Sequence, residues 1–186
     1  MNFYPKDIVR AQTTAITYHF FIHGPIEGSE DYIDLLDALY NATPTDVIIL
    51  HLNTPGGYLD TAVEIIHAIA QTEATVVGSA DGQVASAGSL ILFACHTFVL
   101  GEFCEVMLHD GSGGSWGKIN ENLKAAEHTS QRIANIYHKV YGRFFPEEEV
   151  QAILDGADLY LSAEDVELLI ELAIESAEEE VGDEQE

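Results

Sequence analysis

Residues 47–71 read VIILHLNTPGGYLDTAVEIIHAIAQ. The first six, VIILHL, form a short and nearly continuous apolar run, the pattern of a strand inside a parallel sheet. Asn53-Thr54-Pro55-Gly56-Gly57 then breaks the chain, and helical spacing returns over residues 59–71 through Ala62, Val63, Ile65, Ile66 and Ile69. A β-rich stretch at residues 74–77 follows. Strand, turn, helix and strand in that order make the repeating unit of an α/β domain.

The same alternation extends both ways. Upstream, Tyr32, Ile33, Leu35, Leu36 and Leu39 follow helical spacing after a Ser29 cap. Downstream, the small-residue run GQVASAGS at 82–89 opens a short apolar helix through Leu90, Ile91, Leu92 and Phe93. Strands are expected at 97–100 and 105–108. Residues 119–144 contain no Pro and one Gly near their end, which suits a long helix. Pro146 starts another helix in its first turn, and Ser162 caps the last one, with Glu164 and Asp165 where the helix dipole favours acid. Residues 178–186, EEEVGDEQE, are expected to be a disordered acidic tail after a single domain spanning 1–177. The fold class is α/β with a projecting long helix.

The 186 residues suffice for one domain with its own core. Lys+Arg number 7 against 32 Asp+Glu, a formal charge of −25, while 47% of residues are hydrophobic, which excludes wholesale disorder. Without a basic cluster, nucleic acid and anionic membrane surfaces are unfavourable partners. The longest apolar run, residues 89–100, is too short for a bilayer and contains His96. The opening MNFYPK lacks the features of a secretory signal, so a cytoplasmic location is expected. Cys95 and Cys104 show neither CxxC nor metal-type spacing and read as buried reduced thiols.

Four segments could carry chemistry. Gly56-Gly57 ends a buried strand, and is either an ordinary turn or a place where backbone N–H groups meet an oxyanion. Ser86 sits among Ala85, Ala87 and Gly88 at a helix start, where small neighbours leave room for substrate and the dipole favours developing negative charge. The Ala87 amide would then be a second oxyanion donor. The competing reading is that these small residues only let a helix pack closely. Ser89 reads as a helix-surface or packing serine. His109 ends a strand beside a glycine-rich loop, a natural place for a general base and equally for an uninvolved histidine. The other histidines, at 19, 23, 51, 67, 96, 128 and 138, show no short ligand spacing, so no metal is expected. Composition alone cannot select Asp158 from 32 acidic residues.

Taken in order, Gly24-Pro25-Ile26, NTPGG at 53–57, GQVASAG at 82–88, LHDGSGGSWGK at 108–118 and DLYLSAED at 158–165 resemble the ClpP proteolytic subunit, the serine peptidase partner of AAA+ unfoldases. The likeness covers roughly residues 20 to 168. It implies a ClpP/crotonase-like spiral of ββα units with a handle helix at residues 119–144. It further implies a triad of Ser86 as nucleophile, His109 as base and Asp158 as the residue orienting the imidazole. Gly57 and Ala87 would supply the oxyanion-hole amides, and the strand of Gly111, Ser112, Gly113, Gly114 and Ser115 would pair with extended peptide. Peptides or unfolded chains as substrates, a homo-oligomeric ring stacked in pairs, an AAA+ unfoldase partner and no cofactor complete the implied picture. This acidic chain is also similar to ClpP-like subunits of bacteriophages.

The chain departs from the family pattern at Ala87, where Met is common, and at Asp110-Gly111, where Gln-Pro is usual. Its last helix continues through Leu169-Ile170-Glu171-Leu172 without the family's glycine and closing strand. Two other readings remain: a catalytically silent ClpP-like ring subunit or modulator of a host protease, and crotonase chemistry on acyl-CoA. The latter wants basic residues that this chain lacks.

Overall fold

The computed structural model describes residues 14–111 and 118–183. Strand β1 (Thr17–His23) leads through a 3₁₀ turn (Ser29–Tyr32) into α1 (Ile33–Asn41). Then come β2 (Val47–Thr54), α2 (Leu59–Gln71), β3 (Thr75–Ala85), α3 (Ala87–Ala94), β4 (Thr97–Leu100) and β5 (Glu105–Leu108). The long α4 (Ile119–Val140), a 3₁₀ turn (Tyr141–Arg143), α5 (Glu147–Leu154), β6 (Leu159–Ser162) and α6 (Ala163–Asp183) complete the order. This is the mixed α/β fold that the sequence led us to expect.

The sheet runs β1-β2-β3-β5-β6, with β4 pairing β3 off that path. Every pairing is parallel except β5 with β6. Strand β3 is the axis of the arrangement: Val77 to Ala80 pair with β4, whereas Gln83 to Ala85 pair with β5. A strand that changes partner along its length turns the sheet into a spiral, and it delivers its last residue to the end of β5.

Ile48, Leu50 and Leu52 of β2 are fully buried on one face of the sheet, and α2 packs against both α1 and α3. Helix α3 is buried from Ala87 to Phe93, which explains why its apolar residues show no polar stripe. Phe93 meets Tyr141 and Phe145 edge-on at 5.8 and 5.6 Å between ring centroids. Both cysteines are free and buried.

The structure modifies several local expectations. Strand β2 is buried on one face only; His19, Phe21, His51 and Val99 stand on the other, where Phe21 is 62% exposed. Ser29 does not cap α1. Residues 29–32 form a 3₁₀ turn entered from Gly28, with no side-chain cap bond, so the α-helix starts one turn later. Strand β3 extends to Ala85, past the short β-rich stretch, because Gly82 and its small neighbours fit an inner strand beside Asn53. Helix α4 tightens into 3₁₀ geometry at Tyr141. Helix α6 is helical through Asp183, into the stretch where disorder was expected; Glu is a good helix former and no Pro intervenes. Ser162 does cap it: Asp165 N–H donates to Ser162 Oγ at 3.2 Å, and Ser162 N–H and hydroxyl both donate to Asp165 Oδ2.

Candidate active site

Ser86 stands between the end of β3 and the start of α3, with φ 55° and ψ −123°. Among the described residues it is the one non-glycine with positive φ, a conformation that costs of order 1–3 kcal/mol and tends to be kept at functional sites. Its N–H donates to the Met107 carbonyl at 2.9 Å, so the turn is sewn to β5. The continuation of β5 is His109, whose Nε2 lies 2.8 Å from Ser86 Oγ. With the proton on Nδ1, Nε2 accepts from the serine hydroxyl. This is the reach a general base needs.

The two glycines lie against this turn. A parallel bridge joins Ile26 to Gly57, made by Ile26 N–H donating to Gly56 O and Tyr58 N–H donating to Ile26 O, at 2.9 and 2.8 Å. That pattern leaves the Gly57 N–H outside the bridge. Ala87 is the first residue of α3, so its N–H has no intrahelical acceptor. A Cβ on Gly56 would come within 3.0 Å of Ala87 N, which shows how closely loop and helix start approach. Beside them opens a cavity of about 480 Å³ lined by Tyr58, Leu90, Ile133, Tyr137 and the rim residues Asp60 and Arg132. Arg132 donates to Asp60 at 2.6 Å across that rim; such an exposed pair contributes about 0–1 kcal/mol. A second cavity of about 1000 Å³, between α6, the start of β4 and the turn over residues 142–146, holds neither Ser86 nor His109.

Ser86, His109, Gly57 and Ala87 are thus brought together. Asp158 sits nearby but is not joined to them. Leu108 pairs with Leu159, so His109 and Asp158 follow and precede that pair on neighbouring strands. Asp158 is exposed, and among the described residues it has no hydrogen bond to His109. Gly111 lines the cavity and donates its N–H to Asp110 Oδ1 at 2.7 Å. Ser112, Gly113, Gly114 and Ser115 lie outside the described residues. No three His, Cys, Asp or Glu side chains among the described residues converge as metal ligands. No helix among them is long and apolar enough to cross a membrane.

The sequence reading missed three hydroxyl groups around the pair. Ser89 is fully buried and donates to the Ser86 carbonyl at 2.7 Å; Tyr141 OH lies 2.9 Å from Ser89 Oγ. Tyr137 OH donates to the His109 carbonyl at 2.7 Å. The signal for Ser89 was its place three residues after Ser86 at a helix start, where a hydroxyl bonds back to the chain. No local pattern distinguishes the tyrosines from core aromatics.

A second titratable group occupies the open sheet face. His51 bonds Asp81 at 2.8 Å and His19 at 3.0 Å, and Ser79 donates to Asp81 at 2.6 Å. Partial burial pushes the Asp81 carboxyl up, but the Ser79 and His51 bonds outweigh it and hold the group below the usual carboxylate value. No cavity opens beside it among those described.

Compared with known families, residues 15–169 match the sequence model of the family described as Clp protease.

Proposed function

Because the chain belongs to the Clp protease family, we propose that it is a serine endopeptidase cleaving peptides and unfolded chains, with Ser86 as nucleophile and His109 as base. The observation that carries this reading is the 2.8 Å contact between Ser86 Oγ and His109 Nε2 at a strained strand-to-helix turn. His109 Nε2 takes the Ser86 proton as Oγ attacks the substrate carbonyl carbon. The carbonyl oxygen becomes negative and is met by the N–H groups of Gly57 and Ala87; one such donor is worth roughly 10²–10³ in kcat. The proton on His109 passes to the leaving amine, the C–N bond breaks, and an ester remains on Ser86. Water deprotonated by His109 then hydrolyses that ester and restores the hydroxyl.

Asp158 is assigned the role of orienting the imidazole through Nδ1, supported by its position beside His109 at the β5–β6 end. Residues 111–115 are assigned to pair with extended substrate through main-chain bonds, a mode that tolerates many sequences. Subunits assemble as a ring, with rings stacked through α4 and an AAA+ unfoldase feeding chains in. What supports assembly is the open sheet face with Phe21 and Val99, and the exposed stretch of α4 over residues 123–132. A single observation favours the alternative of a catalytically silent ring subunit or modulator of a host protease: Asp158 lacks a bond to His109.

Reaction of the assembled protein with an alkyl fluorophosphonate, read by peptide mass mapping, separates the two. Stoichiometric labelling at Ser86, abolished in Ser86→Ala and His109→Ala and weakened in Asp158→Ala, is the expected result. No labelling in a ring shown complete by native mass spectrometry favours the silent subunit, and labelling at another residue overturns the assignment of Ser86.

A further inference from the structure

The Ser86–His109 contact needs both backbones held, and α4 and the turn that continues it hold each of them. His109 lies just past the β5–β6 ladder, whose last pair is Leu108 with Leu159. No carboxylate among the described residues bonds its imidazole; the hydrogen bond that secures its main chain is the one from Tyr137 OH to the His109 carbonyl, 2.7 Å. On the other side, Ser89 has one hydroxyl proton and gives it to the Ser86 carbonyl. The 2.9 Å contact between Ser89 and Tyr141 must therefore be donated by Tyr141. Tyr137 and Tyr141 are four residues apart, one helical turn, and their rings meet at 5.0 Å in an edge-on contact. Both are buried, at 3% and 0% exposed.

We propose that Tyr137 and Tyr141 are positioning residues for the peptidase reaction: the Tyr137 hydroxyl ties the His109 carbonyl, and the Tyr141 hydroxyl acting through Ser89 Oγ ties the Ser86 carbonyl, and so the Ser86–His109 alignment, to the end of α4 and the 3₁₀ turn that continues it. The inference rests on the peptidase reading above and adds to it the groups that hold the Ser86–His109 pair before the Asp158 carboxylate engages as its third member. Burial, and then the nearby Asp110 charge, pushes the Tyr137 hydroxyl up to about 12, so it stays a donor through the neutral range. Burial raises Tyr141 well above its ordinary value, with the same consequence. Removing the Tyr137 hydroxyl leaves the half-buried His109 carbonyl without that donor, and removing the Tyr141 hydroxyl leaves the buried Ser89 hydroxyl oxygen without its donor. The Ser86 carbonyl also accepts from the Ser89 and Leu90 N–H groups, so the second change acts by loosening the Ser89 hydroxyl bond; either lets the reacting atoms drift, which a proton transfer across 2.8 Å tolerates poorly.

The test is the saturation kinetics of alkyl fluorophosphonate labelling in Tyr137→Phe, Tyr141→Phe and the double variant, each keeping its ring in the core. The maximal rate of labelling is expected to fall roughly tenfold in each single variant. The concentration for half-maximal rate and the labelled fraction at completion should change little, because the cavity walls and fold remain, while the thermal midpoint falls by a few degrees for the lost donor. Labelling of both single variants at the wild-type maximal rate overturns the proposal. So does a reduced labelled fraction with an unchanged rate, which would mean that the hydroxyls only keep the chain folded. Failure of the wild-type protein to label at Ser86 overturns the peptidase reading first and this inference with it, a result distinguishable from normal wild-type labelling that the substitutions leave untouched.

Discussion

Gly56 takes φ +91°, and a Cβ built on it would stand 2.6 Å from Ser86 Cβ and 2.7 Å from the Ala85 carbonyl oxygen. The first of these neighbours belongs to the proposed nucleophile and the second to rigid backbone, so neither can yield without moving the site. A Cβ on Gly57 would in turn reach 2.7 Å from the Ile26 nitrogen, inside the bridge that fixes the loop. Gly56→Ala should therefore slow fluorophosphonate labelling of Ser86 by about a hundredfold or more, since displacements near 1 Å cost that much in positioned chemistry. Labelling rates on the soluble, folded variant would show this. The Ser86 backbone conformation adds to the argument: a serine held at positive φ persists because the Met107 carbonyl, the Ser89 hydroxyl and the first turn of α3 all engage it.

At the scale of elements, β6 passes into α6 at the end of the β5–β6 ladder remote from His109, where Ser162 pairs with Glu105. Ser162 and Asp165 bond reciprocally at this junction, satisfying N–H groups that a helix start otherwise leaves open. The Ser162 hydroxyl and N–H hold the Asp165 carboxyl below its ordinary value. A group whose folded value is depressed adds stability above its unfolded value, near pH 4, and loses it as pH falls through the folded value. Ser162→Ala is thus expected to lower the thermal midpoint by a few degrees near neutral pH, with the gap to wild type closing as the solution is made acidic. Calorimetry over a pH series reads it directly. Helix α4 divides differently: residues 123–132 are exposed, while Ile133, Tyr137 and Val140 pack inward, so one helix carries both a free surface and the Tyr137 hydroxyl beside the site.

For the molecule as a whole, charge is the dominant number. Each chain carries a formal −25, and gathering several in a ring multiplies the repulsion. Salt screens that repulsion, with a Debye length falling from about 14 Å near 0.05 M to about 4 Å near 0.5 M. The proposed ring should accordingly form at lower protein concentration as salt rises, and sedimentation velocity at matched protein concentration would follow it. A salt-independent assembly, or one that salt dissolves, would mean that subunits are joined through compensating ion pairs. The apolar residues on the open sheet face, Phe21 and Val99 at 62% and 56% exposed, are the material such contacts have to work with.

The α/β class, the order of strands and helices, and the segments holding Ser86, His109 and the Gly56-Gly57 turn were legible in the sequence, because apolar periodicity and turn residues are local properties of a chain. The bounds of α2, β4 and β5 followed from the same local signal. The length of β3 did not, since small residues that look like a loop or helix start become strand only when β4 and β5 lie alongside. The exposed face of β2 was likewise hidden, because an unbroken apolar run does not say how many of its sides are covered. Above all, the 23 residues from Ser86 to His109 close to a hydrogen bond only through the pairing of β3 with β5, and Tyr137 reaches back 28 residues to hold the histidine. Residue types decide which groups can do chemistry; contacts between distant parts of the chain decide which of them meet, and here those contacts left Asp158 without a bond to His109 while bringing two tyrosines to the site.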